Sequence, residues 1–572
     1  MLTGCPCDDD HPAAITAAAL EPEDAVTKWE EFMVDKSTGG LSRRDVLRGG
    51  AGVVVSMTAF GLLGSGALAQ QQQTFKIIHP SFDMNWSPYR GGGAALRWHS
   101  LWWASPMYFD DKGQVQPYVF TSWEPNADWT QWTFKLDPKA VFSDGSPITP
   151  ADVKGSWEMG AMPLTASQRV PLVLAGVVGY DELSAGAGTE LPGVVIVDDA
   201  TIQVTLKAPD PIFYMRLANH LVPISKVSQS RGADGNQNPD WYTPEGGVIS
   251  SGPFKLVAMN LDEGTVAWEP NENFFGPKVK LSRIELRVIE DSVAATALLK
   301  SGEAHAHTAL VTPTIVDDLG VDFSKGTEIP NGQHFYFNSK TAPFDDVNVR
   351  KALILAVDRA EMMRASFPKG PHKMAEQILV GVKGVDPNWE PYPYDPEAAK
   401  AALAASKYGS PDKLPRIIFA GIIAPAEQAA AQFAIEQWRQ NLGITAIELK
   451  PTLDNFQPAD VHIVRDDAGS RVPDATEFLH TAIHSSSSVA KNKMNGYSNP
   501  EVDKLLDEAA PLPVDDPRRD ELAQQAQRLF REDYQLLPWY IEAMSRWALA
   551  NVAGMEKNLD WQVFAPWNIE IT

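Results

Sequence analysis

Cysteine is nearly absent from this chain of 572 residues: its two copies, Cys5 and Cys7, sit together at the extreme N-terminus. That excludes a disulfide framework and a four-cysteine zinc site. Basic charge is scarce too, with 49 Lys and Arg against 73 Asp and Glu, a net charge of −24 and a pI near 4.9. Nucleic-acid binders need a basic footprint, so no nucleic-acid partner is expected. Beyond residue 69 no apolar run approaches the ~20 residues that cross a bilayer. That part of the chain also holds no Gly-x-Ser-x-Gly elbow, no His-Glu-x-x-His, no phosphate loop and no dinucleotide fingerprint. Two distant carboxylates would leave no local motif, yet nothing positive favours an enzyme, and no cofactor is called for. What is present is ample core material, 44% hydrophobic residues, in a length that suits several folded units.

The first 69 residues read as an address. Ser42-Arg43-Arg44-Asp45-Val46-Leu47-Arg48 precedes an uncharged run from Gly49 to Ala69, rich in small residues and ending Ala67-Leu68-Ala69. Paired arginines (Arg43, Arg44), a mild apolar stretch and alanines at −3 and −1 (Ala67, Ala69) resemble a twin-arginine export signal with a long n-region. Val46 departs from the usual aromatic, and Met33 is an alternative start. The expectation is removal of residues 1–69 and a folded protein delivered to the periplasm.

Strand-like and helix-like segments alternate through the rest, which predicts a mixed α/β protein. Trp132–Leu136, Ile284–Val288 and Ile444–Leu449 alternate as half-buried strands do. Ser143-Asp144-Gly145-Ser146-Pro147 reads as a tight turn. Thr149-Pro150-Ala151-Asp152 reads as a helix start, and Asp395-Pro396, Asn499-Pro500 and Asp516-Pro517 repeat the device. The last opens a helix with Leu522, Ala526, Leu529 and Phe530 on one face, expected to stop before Pro538. In the segment 347–358, Val347, Leu353, Ala356 and Val357 share a face, and Arg350 and Asp358 are expected in ion pairs.

These pieces resemble a family. Trp132–Leu136, Val141-Phe142-Ser143-Asp144-Gly145-Ser146-Pro147-Ile148-Thr149-Pro150-Ala151-Asp152-Val153, Ser251-Gly252-Pro253-Phe254, Ala342-Pro343-Phe344-Asp345-Asp346-Val347-Asn348-Val349-Arg350-Lys351-Ala352-Leu353 through Asp358-Arg359, Tyr394-Asp395-Pro396-Glu397-Ala398-Ala399-Lys400 and Gly496–Leu506 stand in the order seen in family 5 of the ABC-transporter solute-binding proteins. That family holds dipeptide, oligopeptide and nickel-complex binders. The resemblance implies a periplasmic binding protein-like α/β fold (type II, cluster C), a two-lobed clamp with an additional outer domain. It implies lobe I from 70–112, 245–334 and 545–572, an outer subdomain at 113–244, and lobe II at 335–544. It also implies a monomer that closes on a small-molecule or peptide ligand and hands it to membrane permease subunits.

In the peptide binders of that family, an aspartate in a Trp-x-x-Asp-Tyr-x-Asp-Pro segment holds the ligand's amino group. Here the matching stretch, Asp460 to Ala475, contains no tryptophan. Anchoring on Pro473-Asp474, the surviving landmark, places Arg471 at that position, and anchoring on the preceding strand brings Asp466 or Asp467 there. The first predicts an anionic ligand group and the second a cationic one. Asp474 is a further carboxylate. Arg90, Trp102 and Trp103 fall where the family places a ligand-facing segment of lobe I, and Trp561 is a C-terminal candidate. An anion or metal-chelate carrier, or a ligand carrier for a sensor, is the alternative reading.

Two histidine pairs have chelating spacing: His305 and His307 on one face of an extended segment, and His480 and His484 at i, i+4 on a helix. Neither has a third ligand nearby in sequence, so no dedicated metal site is expected.

Overall fold

The computed structural model describes residues 73–81, 86–90, 93–110, 112–233, 235–307, 327–368, 372–379, 382–422, 424–450, 461–469, 472–544, 547–548, 551–554 and 565–572. Arg43, Arg44, Ala67, Ala69, Arg471 and Trp561 lie outside the described residues.

Three sheets organise the chain. The first runs β18 (Trp547–Ala548), β11 (Ala306–His307), β1 (Thr74–His79), β10 (Arg283–Val288), β9 (Thr265–Pro270), β8 (Phe254–Asn260). Within it β1 is parallel to β10 and β11, and the other pairs are antiparallel. The second is antiparallel: β4 (Phe120–Pro125), β5 (Gln131–Leu136), β7 (Thr201–Thr205), β6 (Val194–Asp198). The third is mixed: β13 (Lys373–Met374), β17 (Leu536–Met544), β12 (Thr327–Phe337), β16 (Ile463–Gly469), β14 (Ile417–Ala420), β15 (Ile447–Lys450). Two short antiparallel pairs, β2 (Met107–Phe109) with β3 (Val115–Pro117) and β19 (Val552–Ala553) with β20 (Glu570–Ile571), are also formed.

The helices that matter below are α1 (Gly93–Trp102), α2 (Pro150–Ala161), α3 (Phe213–Arg216), α4 (Val347–Leu355), α5 (Arg359–Ser366), α6 (Pro396–Ala405), α7 (Pro425–Leu442), α8 (Ala475–Ile483), α9 (Pro500–Ala509) and α10 (Pro517–Glu532). None of the described helices is long and apolar enough to cross a membrane.

Burial divides the sheets into two bodies. The first two share one core, which runs from Phe75 through Phe134 and Trp157 to Leu286 and is rich in tryptophan. The third sheet is covered on both faces, as strand alternation requires. Phe335, Phe337, Phe419 and Ile463 point to α4, α6 and α7, and Tyr336, Val464 and Ala468 point to α8, α9 and α10. The first sheet is discontinuous in sequence: the chain leaves it after β11, builds the third sheet, and returns at β18, with only Ser545 and Arg546 between β17 and β18. Two lobes joined by crossings of this kind are the architecture of a clamp. The expected lobe boundary at 334/335 falls inside β12, whose residues from Thr327 onward pair in the third sheet.

Local chemistry explains the motifs. Thr149 and Asp152 form a reciprocal capping box on α2, and Asp395, Asn499 and Asp516 cap α6, α9 and α10 ahead of a proline. Gly145 takes φ +82°, which the turn needs, and Asp144 Oδ1 accepts from Ser146 N at 3.0 Å. Gly252 lies flat against the end of α1: an added Cβ would meet Trp102 C at 2.7 Å and Trp103 N at 2.8 Å.

Helix α10 stops at Glu532, before Pro538 as expected, and Pro538 sits in β17 opposite His334, where the ladder is irregular and tolerates a missing donor. Two expectations are corrected. Arg350 is buried and donates to the carbonyls of Asp533 and Phe344, and Asp358 caps α5 through Glu361 N at 3.0 Å. Among the described residues, neither forms the ion pair expected of it. Val347, expected on the buried face of α4, is exposed, whereas Val349 and Leu353 are buried.

Candidate functional site

Where the two bodies face each other there is a cavity of about 290 Å3. Leu172, Val173, Arg216, Asn219 and Leu221 line it from the side of the first core, and Asp467, Gly469, Val472, Glu477, Thr481 and Lys493 from the side of the third sheet. A smaller cavity of about 220 Å3 adjoins it around Asp210, Arg216, Glu477, His480 and Arg519.

Strand β16 carries Asp466 and Asp467 on opposite faces of the sheet, and Asp467 lines the larger cavity. Asp466 is 6% exposed, and Asp467 is only partly covered. Lys493, from the turn after α8, reaches both: its Nζ is 3.0 Å from Asp466 Oδ2, 3.4 Å from Asp467 Oδ1 and 2.9 Å from the Asp467 carbonyl. Burial pushes the Asp466 carboxyl up to about 6, against the pull of Lys493. For Asp467, burial works to raise the pKa, but Lys493 and Arg465 outweigh it and hold the carboxyl well below the usual range. Beside them in β12, His334 and Tyr336 are buried, and among the described residues neither the His334 ring nitrogens nor the Tyr336 hydroxyl finds a hydrogen-bond partner. Burial lowers His334 to about 3 and lifts Tyr336 well above its ordinary value.

The two bodies are tied across the cavity by Arg216 of α3 and Glu477 of α8. Arg216 Nη2 is 2.7 Å from Glu477 Oε2 and its Nε is 3.2 Å from Oε1, a bidentate pair, and Nη1 reaches Asp210. Burial opposes the Glu477 charge, yet Arg216 holds its pKa below the usual carboxylate value. The lining therefore carries two cations, Arg216 and Lys493, against two anions, Asp467 and Glu477. No nucleophile–base pair is among these residues, and the arrangement is suited to holding a solute.

The remaining candidates sit elsewhere. Asp474 is 4% exposed, and its oxygens are taken by Arg519 (Nη2–Oδ1 2.8 Å, Nε–Oδ2 2.9 Å) and by the Glu477 amide it caps, so it offers no free acceptor to a ligand. Trp102 and Trp103 are fully buried in a tryptophan nest. Trp102 lies 5.7 Å from Trp268 and Trp103 lies 5.1 Å from Trp241, centroid to centroid, which makes them core. Arg90 is exposed and donates to the carbonyls of Leu164 and Thr165. His305 Nδ1 accepts from Lys76 N at 3.0 Å, its ring stacks on Phe75, and His307 is buried in β11.

Arg216, Lys493 and Glu477 were not legible as site residues. Lys493 lies 26 positions from its nearer aspartate and Arg216 lies 261 from Glu477, so no local spacing links them.

A two-lobed α/β clamp with charged groups converging on an interlobe cavity defines a solute-binding protein of the periplasmic type. The sequence profile of the bacterial extracellular solute-binding proteins, family 5, Middle matches residues 114–489, and the chain belongs to that family. The family is one of solute-binding proteins of ABC transporters, which are not enzymes. Among its relatives is the periplasmic oligopeptide-binding protein OppA of Salmonella typhimurium, 28% identical over 467 residues, 78% of this chain and 82% of that protein. The probable deoxycholate-binding periplasmic protein YgiS of Escherichia coli is 26% identical over 461 residues, 78% of this chain and 84% of that one. The solved structure of the Escherichia coli murein tripeptide binding protein MppA shares the fold, with a TM-score of 0.73 at 22% identity, covering 88% of this chain and 99% of that one.

Proposed function

We propose that this protein is the substrate-binding component of an ABC importer, which captures a short peptide or similar zwitterionic solute between its lobes and delivers it to a membrane permease. The observation that carries the reading is the interlobe cavity, whose lining balances Arg216 and Lys493 against Asp467 and Glu477. A cavity near 290 Å3 suits a small solute. A lining of both signs favours a ligand that itself carries both, with a cationic end toward Asp467 and an anionic end toward the arginine side. Curated relatives of this chain carry names of oligopeptide-, dipeptide- and murein peptide-binding proteins, which supports the peptide class. Arg471, which precedes the lining residue Val472 in sequence, is proposed as a further ligand residue, as is Trp561.

The relatives named as periplasmic support the same compartment here. Arg43-Arg44 and Ala67-Leu68-Ala69 support export by the twin-arginine route and cleavage after Ala69. The protein then acts as a monomer, with residues 113–244 as the outer subdomain.

A thermal-shift screen of the purified protein against dipeptides, tripeptides, longer peptides, organic anions and metal chelates tests this, because a ligand that binds only the folded state raises the melting point. Stabilisation by unmodified short peptides is expected. Stabilisation by anions or chelates with none by peptides overturns the peptide class and favours the Arg471-based anion carrier.

A further inference from the structure

Helix α8 carries His480 and, one turn on at its C-cap, His484; helix α9 packs beside it and carries Asp503 and Asp507, also one turn apart. His484 Nε2 is 3.4 Å from Asp507 Oδ1 and 3.8 Å from Asp503 Oδ1, and His480 Nε2 is 3.8 Å from the same Asp507 oxygen. The two imidazoles are stacked, with centroids 4.2 Å apart and planes 7° from parallel. One ligand atom from each of His480, His484 and Asp507 lies within 4.8 Å of the others. His484 Nε2 is buried and finds no hydrogen-bond partner among the described residues. The groups thus converge at separations too long for good hydrogen bonds among themselves.

We propose that His480, His484 and Asp507, with Asp503 as a further oxygen donor, bind a divalent transition-metal ion of the zinc class. Two imidazoles one helical turn apart chelate through the same face, and the second helix supplies the carboxylate that the local sequence lacks. Imidazole with carboxylate selects zinc, cobalt, nickel or copper over magnesium and calcium, which take all-oxygen shells. Metal bonds of about 2.0–2.2 Å put adjacent donors ~3.3 Å apart, so small side-chain rotations close the site. The C-terminal end of α8, where the carbonyl dipoles point, favours a cation there.

Supporting contacts orient the ligands. His484 Nδ1 accepts from the Ser486 amide at 3.1 Å and lies 2.6 Å from Ser486 Oγ. A cation at Nε2 requires the ring proton on Nδ1, which then donates to the hydroxyl and gives up the bond from the amide. Asp503 Oδ1 is fixed by the Ser485 amide at 2.9 Å. The site is separate from the larger cavity, none of whose lining residues is a ligand, and His480 stands on the rim of the smaller one.

The test is calorimetric titration of ZnCl2 into chelator-stripped protein at about pH 7.5, where imidazoles are neutral, with CoCl2 absorption as a second readout. The wild type is expected to show a single saturable site of micromolar affinity and visible cobalt bands of a nitrogen–oxygen shell. The double variant His480→Ala/His484→Ala is expected to bind at least about 100-fold more weakly, and Asp507→Asn about tenfold more weakly. Denaturation midpoints in chelator report whether each variant stays folded. Should the double variant not fold, Asp507→Asn, at an exposed position, carries the test alone. Absence of saturable zinc binding by the wild type, or unchanged affinity and cobalt spectrum in the folded variants, overturns the proposal.

Discussion

Replacing Asp474 with alanine removes two things at once. The carboxylate caps α8 through the Glu477 amide at 2.8 Å, and it accepts from Nε and Nη2 of Arg519, a guanidinium only 1% exposed. Loss of the cap costs about 1 kcal/mol. Stranding the buried arginine costs about 3–5 kcal/mol, because its charge loses its counter-ion while its desolvation remains. Arg519 keeps its bonds from Nη1 to the carbonyls of Ala509, Ala510 and Leu512, which hold it in place and prevent escape to solvent. The summed loss for Asp474→Ala is about 4–6 kcal/mol, read as a lower urea midpoint for the body built on the third sheet. A paired Asp474→Leu/Arg519→Met variant removes both charges and is expected to recover about half of that loss, the three carbonyls still lacking their donor. Solute affinity of the folded fraction should change less than about twofold, since neither residue offers the ligand a free group. A stability loss below about 1 kcal/mol, or a large affinity loss without one, would refute the structural role and return Asp474 to the ligand site.

Acid should destabilise the protein through its buried histidines. Burial, the largest cause at each, lowers His99, His220 and His334 to about 3, whereas in the unfolded chain they take up protons near pH 6.5. The unfolded state therefore binds more protons as pH falls below 6.5, and each histidine costs about 1.4 kcal/mol per pH unit until its folded pKa is reached. Asp466, raised to about 6, works in the opposite direction between pH 6 and 4 and offsets roughly one of them. Denaturation at pH 7 and pH 5 should show a net loss, and equal stabilities would contradict the buried neutral histidines. Glu477→Gln weakens the tie to Arg216 and should reduce solute affinity about fivefold, with a larger radius of gyration by X-ray scattering; an unchanged affinity and radius would show that the pair plays no part in closure. Gly252→Ala forces a Cβ against the backbone of α1 and should cost about 1–3 kcal/mol, a prediction defeated by a wild-type midpoint.

Much of the architecture was written locally. The Thr149–Asp152 box, the three cap-proline starts and the β5 alternation depend on residues within a few positions of one another, and each forms as its chemistry dictates. Pro538 marked the end of α10 correctly, but that it sits inside strand β17 depends on the partner β12. Trp102 and Trp103 were legible as aromatic residues that pack in a core more often than they meet a ligand, but the partners that bury them, Trp241 and Trp268, come from distant segments. The candidate site was legible only as a strand with two aspartates. Lys493, Arg216 and Glu477 reach it through tertiary pairing, as Asp503 and Asp507 reach the two histidines.

The central claim, capture of a doubly charged short solute in the interlobe cavity, is tested most directly by calorimetric titration of the free-ended peptide that most strongly raises the melting point. The same peptide, acetylated at its N-terminus and amidated at its C-terminus, is titrated alongside. The account predicts saturable binding of the free form, weakened at least about tenfold in Asp467→Asn, and no measurable binding of the blocked form. Equal binding of both forms, or indifference to Asp467→Asn, would contradict it.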